Sequence, residues 1–517
     1  MLKNEPKQLS LYSTLYNRIP ENHILKLINK VIDFSFINEM LKVSYSEYYG
    51  RPAKEPEMMA KLCILQYLYN LSDKNIIKEA VLNLAFMWFI GVNPEDELPH
   101  HSLLSKFRTQ RLKENSIDDI IKEVVRQCVE SGIIKGTGLS IDCTHMAANT
   151  VKKVPERVMK HLAQKILRNM EKECGSIPEN VNKDIPKYKD IPEHEEAKAQ
   201  MKGYLEELIE TVKSDIDEAV APKTGEALVQ AKRILDDPKF IEQKGVRSIV
   251  DEDARVGHKS KTDSFFGYKV EFGMIPEEKI ITSIDVNDGS YVDGTDFKKH
   301  LENTLDCGVK VEAGYGDKGY FRKPIIEALE GINAEVIIPP SESVYKIDES
   351  KYSYNKDSDQ WICEEGNYSV ERKKANRKGR NAVYYYFSKQ DCANCPKRCK
   401  CCGKAKRKRF EISEFTPKFY EYSQKSKSDE FLEKYKKRAC HENKNGEMKR
   451  FHGMARAKGY GLKSVRMQAK LTALAVNLKR IAKIFSLFFR IYIRINEKCQ
   501  LIYHFMDIPT GLKLFAF

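Results

Sequence analysis

At 517 residues, with 41% hydrophobic and 31% charged side chains, the chain has the balance of an ordinary globular protein and length enough for roughly two to four domains. Its 88 Lys and Arg against 74 Asp and Glu leave a formal charge of +14, which concentrates polyanions around the molecule, nucleic acid foremost. An odd total of 13 cysteines, crowded locally between Cys392 and Cys402, and an N-terminus that does not read as a signal peptide argue against a secreted disulfide scaffold and for a reducing, cytoplasmic setting.

Residues 1–130 read as a helical module. Met59, Leu62, Cys63, Leu65, Tyr67 and Leu68 recur at helical spacing, and a break at Leu71-Ser72-Asp73 precedes a second run with Ile76, Ile77 and Ala80, for which Ser72 is the expected N-cap. A third run ends at Phe89-Ile90-Gly91, and Ser102 is expected to cap a basic helix through Leu103–Arg108. Lys106, Arg108, Arg111 and Lys113 on or near that helix suit a helix-turn-helix-like reader of a DNA end; the alternative is a small bundle that only packs against the main domain.

After the helical stretch Ile117–Val129 and Gly132, Gly136 and Gly138, the run Leu139-Ser140-Ile141-Asp142-Cys143-Thr144 reads as a buried strand end followed by a polar turn. An aspartate buried there without a partner would cost on the order of several kcal/mol, so Asp142 is either exposed or holds a cation. Taken alone, a turn aspartate is the commoner reading. Residues 151–240 turn Lys- and Glu-rich, with helical periodicity around Val158–Met170 and Leu205–Val220, and are predicted to be a charged helical insertion without chemistry of its own.

Residues 131–150 and 241–340 are predicted to form one α/β core. Phe265–Phe272 alternates as a strand, Lys279–Val286 follows a turn at Pro276, and the resulting hairpin should adjoin the Asp142 strand. Lys259, Lys261 and Lys269 can face a phosphate backbone there, or be ordinary surface lysines. A helix over Phe297–Leu305 leads to the short β-branched strand Gly308–Ala313, which empties into glycines ending at Asp317, where a missing Cβ lets backbone approach a ligand. A helix over Pro324–Leu329 and a strand over Ala334–Ile338 complete a mixed sheet with covering helices.

Residues 341–430 are basic and Cys-rich, with Glu371–Arg380 and Lys404–Arg409 as cationic runs around a strand at Ala382–Phe387. Phosphate contact or a solvated loop accounts for such charge. Cys392-Ala393-Asn394-Cys395 has the gap of a zinc knuckle, and Cys399, Cys401 or Cys402 with Cys363 could complete a tetrahedral structural Zn²⁺ site.

In residues 431–490, Tyr435, Arg438, Glu442 and Lys449 fall at offsets of three, four and seven, one stripe if the segment is a single helix, and the amphipathic Val465–Ile484 would pack behind it. Three carboxylates, Asp142, Asp317 and Glu442, suit two Mg²⁺ ions about 3.5–4 Å apart with a scissile phosphate between them. Arg438 and Lys449 would add charge for flanking phosphates, and Tyr435 would stack or hydrogen-bond near the cut end. Glu447 is the competing acid on the same stretch. The apolar run Ile481–Ile495 is interrupted by Lys483, Arg490 and Arg494 and is too short and too charged to span a bilayer; residues 491–517 are a tail.

The spacing of Tyr435, Arg438, Glu442 and Lys449, with Ile141-Asp142-Cys143-Thr144 and Asp317-Lys318-Gly319-Tyr320, resembles the DDE-type transposases of bacterial insertion sequences over nearly the whole chain, and Gly50-Arg51-Pro52 through Ser102–Arg108 resembles their N-terminal module. Cys143 departs from the glycine common beside the first acid. The resemblance implies an RNase H-like catalytic core with a small β insertion touching DNA, and two Mg²⁺ or Mn²⁺ on Asp142, Asp317 and Glu442. It also implies binding of double-stranded DNA at element ends and target, a homodimer on paired ends, a location at the nucleoid and no membrane. The implied reaction cleaves terminal inverted repeats and joins their 3′-hydroxyls to target. An RNase H-like nuclease or integrase, or an inactive DNA-binding descendant, are the alternatives.

Overall fold

The structure, a computed structural model, describes residues 10–46, 52–150, 153–215, 221–237, 247–260, 262–377 and 380–505; Gly50, Arg51 and Lys261 lie outside the described residues.

The N-terminal region is helical: α1 (Ile24–Val31), α2 (Phe36–Lys42), α3 (Pro56–Leu68), α4 (Asp73–Leu82), α5 (Leu84–Ile90), α6 (Ser102–Lys106) and α7 (Lys113–Glu130). Pro56 sits in the first turn of α3, where its missing N–H is not needed, and almost every α3 side chain is buried, so this helix is the module's centre. Ser72 caps α4 as its sequence predicts, accepting the Asn75 N–H at 3.2 Å. Gly91 ends α5 at φ 72°, a left-handed position that a side chain would disfavour. Ser102 does not cap α6: His101 holds the cap position without a side-chain bond, and the Ser102 hydroxyl lies 2.9 Å from His100 Nδ1 instead.

The core sheet contains β1 (Gly138–Ala147), β2 (Arg255–His258), β3 (Ser264–Ile275), β4 (Ile280–Asp288), β5 (Ala313–Tyr315) and β6 (Glu335–Ile337). Its order is β2-β3-β1-β5-β6, with β4 also on β3; the β1–β3 and β3–β4 pairs are antiparallel, β1–β5 and β5–β6 parallel. The polar turn expected just after Asp142 is absent, because β1 stays paired with β3 as far as Ala147 opposite Gly267. A Cβ at Gly267 would collide with the Met146 carbonyl, so only glycine permits this approach. The strand expected at Gly308–Ala313 begins later, at Ala313, since β1 itself starts at Gly138 and offers no earlier ladder.

Between β1 and β2 the insertion folds as α8 (Pro155–Cys174), α9 (His194–Asp215) and α10 (Pro222–Leu235) around its own core of Val158, Leu162, Ile166, Met201, Leu205 and Leu228. Backbone bonds between Lys153 and Arg247, at 2.8 and 3.2 Å, close its base.

Helices α11 (Phe297–Asp306) and α12 (Lys323–Glu330) cover one face of the sheet, packing on Leu139 and Ile141. The basic segment contributes β7 (Tyr352–Asn355), β8 (Gln360–Cys363), β9 (Ser369–Arg377), β10 (Arg380–Phe387) and β11 (Arg409–Ser413), built on Trp361, Val383, Tyr385, Phe387 and Phe410, with short helices α13 (Lys389–Asn394) and α14 (Arg398–Cys401). Then come α15 (Thr416–Ser426), α16 (Asp429–Tyr435), α17 (Cys440–Phe451) and α18 (Gly461–Phe505). The latter packs on the other sheet face, where buried Asn477 bonds both the N–H and the carbonyl of Ile281, at 2.8 and 2.7 Å, and so satisfies the outer edge of β4. Among the described residues no helix is long and apolar enough to cross a membrane.

Candidate active site

Parallel pairing sets Ser140 of β1 opposite Tyr315 of β5, where the ladder ends; Asp142 and Asp317 each follow two residues later along their chains. Asp142 is also paired across β3 with Phe272, whose ring packs 4.9 Å from that of His441 in α17, so its carboxylate emerges on the α17 side of the sheet. Asp317 begins a tight turn and accepts the Gly319 N–H at 2.7 Å. Two acids distant in sequence thus reach one place because two strands are neighbours.

A cation already lies between them. Arg438 Nη2 is 3.3 Å from Asp142 Oδ1 and 3.9 Å from Asp317 Oδ2. Burial raises the Asp142 pKa to about 6; Arg438 pulls it down and Asp317 pushes it up. Burial works against the charge of Arg438, but Asp142, Tyr435 and Asp317 outweigh it and hold the guanidinium pKa above its ordinary value. Tyr435, at the end of α16, stacks on Phe431 with centroids 6.0 Å apart.

Behind the site stands an acid that the sequence reading passed over. Glu271 of β3 is 1% exposed; it accepts from the Tyr320 hydroxyl at 2.7 Å, the Gly294 N–H at 2.7 Å and the Tyr291 hydroxyl at 2.8 Å, with His300 Nε2 at 3.5 Å. Burial alone would raise its pKa, yet His300, Tyr320 and Tyr291 outweigh it and keep the carboxylate ionised. Tyr320 closes the turn that begins at Asp317, so this network anchors that turn. Cys143, opposite Glu271, points away from Asp142; burial and the nearby Asp293 and Glu271 push its thiol well up.

The Tyr435-to-Lys449 stripe does not lie on one helix. A 3₁₀ turn, Lys436–Ala439, separates α16 from α17, and Arg438 sits in that turn. Glu442, in the first turn of α17, is exposed and makes no ion pair among the described residues. Glu447 is instead bound up with Lys444 and Lys479, each at 3.1 Å. Half-buried Lys449 lies near Lys259 and Asp142; burial and Lys259 lower its pKa.

Of the other basic candidates, Lys106 is exposed, whereas Arg108 is turned inward onto Asp73 at 2.6 Å and Gln66 at 3.0 Å. Lys269 pairs with Asp293 at 2.7 Å and Lys259 with Asp263 at 3.2 Å. Cys363, Cys392, Cys395, Cys399, Cys401 and Cys402 are free thiols, with Cys401 Sγ 3.5 Å from the Tyr352 hydroxyl and Cys392 Sγ 3.5 Å from the Lys408 N–H. Among the described residues no three His, Cys, Asp or Glu side chains are arranged to hold a metal ion. Cys402 interacts with both Cys392 and Cys401, so three of these thiols stand together without forming an arrangement that holds an ion. The same holds for the three carboxylates: Asp142 and Asp317 share one positive group, the Arg438 guanidinium, but Glu442 does not join them in this arrangement.

Residues 13–110 match the transposase domain family DUF772, and residues 362–482 match the transposase DDE domain family. No curated protein matches the chain in sequence. A solved structure that does match, by cryo-EM, is the piggyBac transposase synaptic complex with hairpin DNA: 9% identity over 94% of this chain and 82% of that one, with a TM-score of 0.28. The chain thus carries a match to a transposase domain toward one end and to a transposase DDE domain toward the other, the latter spanning Arg438 and Glu442.

Proposed function

We propose that the chain cleaves DNA at the terminal inverted repeats of its own element and joins the 3′-hydroxyl ends to target DNA, acting as a homodimer on paired ends. The observation that carries this reading is the meeting of Asp142 and Asp317 on one cationic group just beyond the parallel β1–β5 ladder. The strand order β4-β3-β1-β5-β6, antiparallel on one side of β1 and parallel on the other, supports an RNase H-like core.

Asp142, Asp317 and Glu442 are the residues that would hold two Mg²⁺ or Mn²⁺ ions, which when bound activate the attacking oxygen and stabilise the leaving one. The chain's own groups do the rest. Arg438 neutralises the two aspartates while no substrate is present, and Lys449 beside Asp142 supplies positive charge toward the phosphates that flank the cut. The Glu271 network keeps Asp317 from drifting, which matters because misplacement by about 1 Å can cost on the order of 100-fold in rate. Lys106 and the N-terminal helices serve to bind the element end.

The test is to mix the full-length protein with DNA carrying the inverted repeats that flank its gene, with Mg²⁺ or with EDTA. Joined products that need Mg²⁺ and vanish in Asp142→Ala, Asp317→Ala and Glu442→Ala support the reading. Hydrolysis without joining would instead indicate a nuclease, and binding without cleavage an inactive descendant.

A further inference from the structure

Between α17, the β3–β4 turn and α18 lies a cavity of about 270 Å³ whose lining includes Lys279, Lys444, Glu447, Lys479, Arg480 and Lys483. Five cations therefore face one carboxylate. Glu447 is shared between Lys444 and Lys479, each at 3.1 Å, and Arg480 donates its Nε–H to the Glu278 carbonyl at 2.7 Å. Among the described residues neither Lys279 nor Lys483 has an ion-pair partner. Lys279 is presented from the turn at φ 59°, and Lys483 is exposed at the rim.

The Lys444 side chain is only 3% exposed. Burying a charge is tolerated when it is paired, but here its single partner also serves a second lysine. What such a wall lacks is an anion with several acceptor oxygens, and a phosphate group matches lysines and an arginine converging from three elements.

Resting on the proposed DNA reaction, we infer that this cavity seats a backbone phosphate of duplex DNA, as an anchor separate from the Asp142–Asp317 site. Lys444 stands two residues from Glu442 on α17, so DNA held here is held against the helix that carries the third acid. Free polyphosphate has the same chemistry and is the competing source.

The experiment compares full-length wild type, Lys279→Ala/Lys483→Ala, the corresponding Lys→Arg pair, and a control with the same charge loss on the other side of the core, Lys298→Ala/Lys310→Ala. Fluorescence anisotropy of labelled duplex DNA is recorded across roughly 50–200 mM salt. Each phosphate contact contributes about 0.9 to the slope of log affinity against log salt, so the alanine pair should flatten it by roughly two while the arginine pair and the control keep the wild-type slope. An alanine pair that behaves like the control overturns the inference. Loss of inorganic tripolyphosphate binding in the alanine pair with an unmoved DNA slope also overturns it, assigning the cavity to a free anion. Wild-type protein that binds no duplex would remove the proposed reaction as well; wild-type binding with an unmoved slope removes the phosphate seat alone.

Discussion

Arg438 and Asp142 are 296 positions apart in sequence and 3.3 Å apart in space. The guanidinium stands where a carboxylate ligand would offer its oxygen to a metal, so it both lowers the Asp142 pKa and competes for the same lone pairs. If Asp142 holds a metal ion as proposed, binding requires its ionised form and should be lost as pH falls through about 6. In Arg438→Gln the opposing charge is gone while Asp317 remains, so the midpoint of Mn²⁺ binding should move up by about one pH unit or more. Affinity on the alkaline plateau should rise as well, since the cation no longer displaces a guanidinium. Calorimetric titration at a series of pH values reads both, and an unmoved midpoint would mean that Arg438 does not govern the charge of Asp142.

The same pKa makes Asp142 a stability liability in the metal-free protein. Its folded pKa, about 6, exceeds the ordinary 3.8, so the folded state retains a proton that the unfolded chain releases. The resulting stabilisation is full below about pH 4, declines as pH rises, and above about pH 6 has become a cost of up to ~3 kcal/mol. Asp142→Asn should therefore raise the melting temperature near pH 8, leave it almost unchanged near pH 4, and abolish cleavage. Thermal unfolding at the two pH values checks this; a variant less stable than wild type near pH 8 contradicts it.

Asp142 within β1 and Asp317 just after β5 were singled out by the resemblance of their motifs, since a lone aspartate after an apolar run reads by itself more often as a turn residue. Their meeting was not legible, since it depends on which strands become neighbours, and no local pattern encodes the β1–β5 register. Glu271 escaped notice for a related reason: it occupies one position in an alternating strand, and its partners come from Gly294, Tyr291, His300 and Tyr320, all remote from it in sequence. The break between α16 and α17 carries no Gly or Pro. It follows from tertiary contacts, Lys437 reaching Glu277 at 2.7 Å and Arg438 reaching the two aspartates, which override the helical preference of a charged run.

Glu271 should act on the reaction through position alone. Tyr320→Phe removes one hydrogen bond to a buried carboxylate, a loss of roughly 1.5–3 kcal/mol in stability by denaturant titration. Glu271→Ala leaves His300 and both tyrosines without their common partner and should cost about 3–5 kcal/mol. If the network positions Asp317, Tyr320→Phe also lowers kcat with KM for DNA nearly unchanged, and the pH profile keeps its shape. A fall in stability without any change in kcat would confine Glu271 to the core.

Glu442 and Glu447 compete in sequence for the role of third acid, and their surroundings predict opposite phenotypes. Glu442 is exposed and unpaired among the described residues, so Glu442→Gln should change stability by no more than about 0.5 kcal/mol while removing cleavage and joining. Glu447 neutralises buried Lys444 and also bonds Lys479, so Glu447→Gln leaves a lysine buried without its counter-charge and should destabilise the fold by about 3 kcal/mol or more. At a temperature where the Glu447 variant is still folded, its cleavage should remain within about tenfold of wild type, because its carboxylate is committed to α18 and not to Asp142. Chemical denaturation run beside a cleavage assay on both variants separates the two acids. A stable but inactive Glu447→Gln, together with an active Glu442→Gln, would transfer the third-acid role to Glu447.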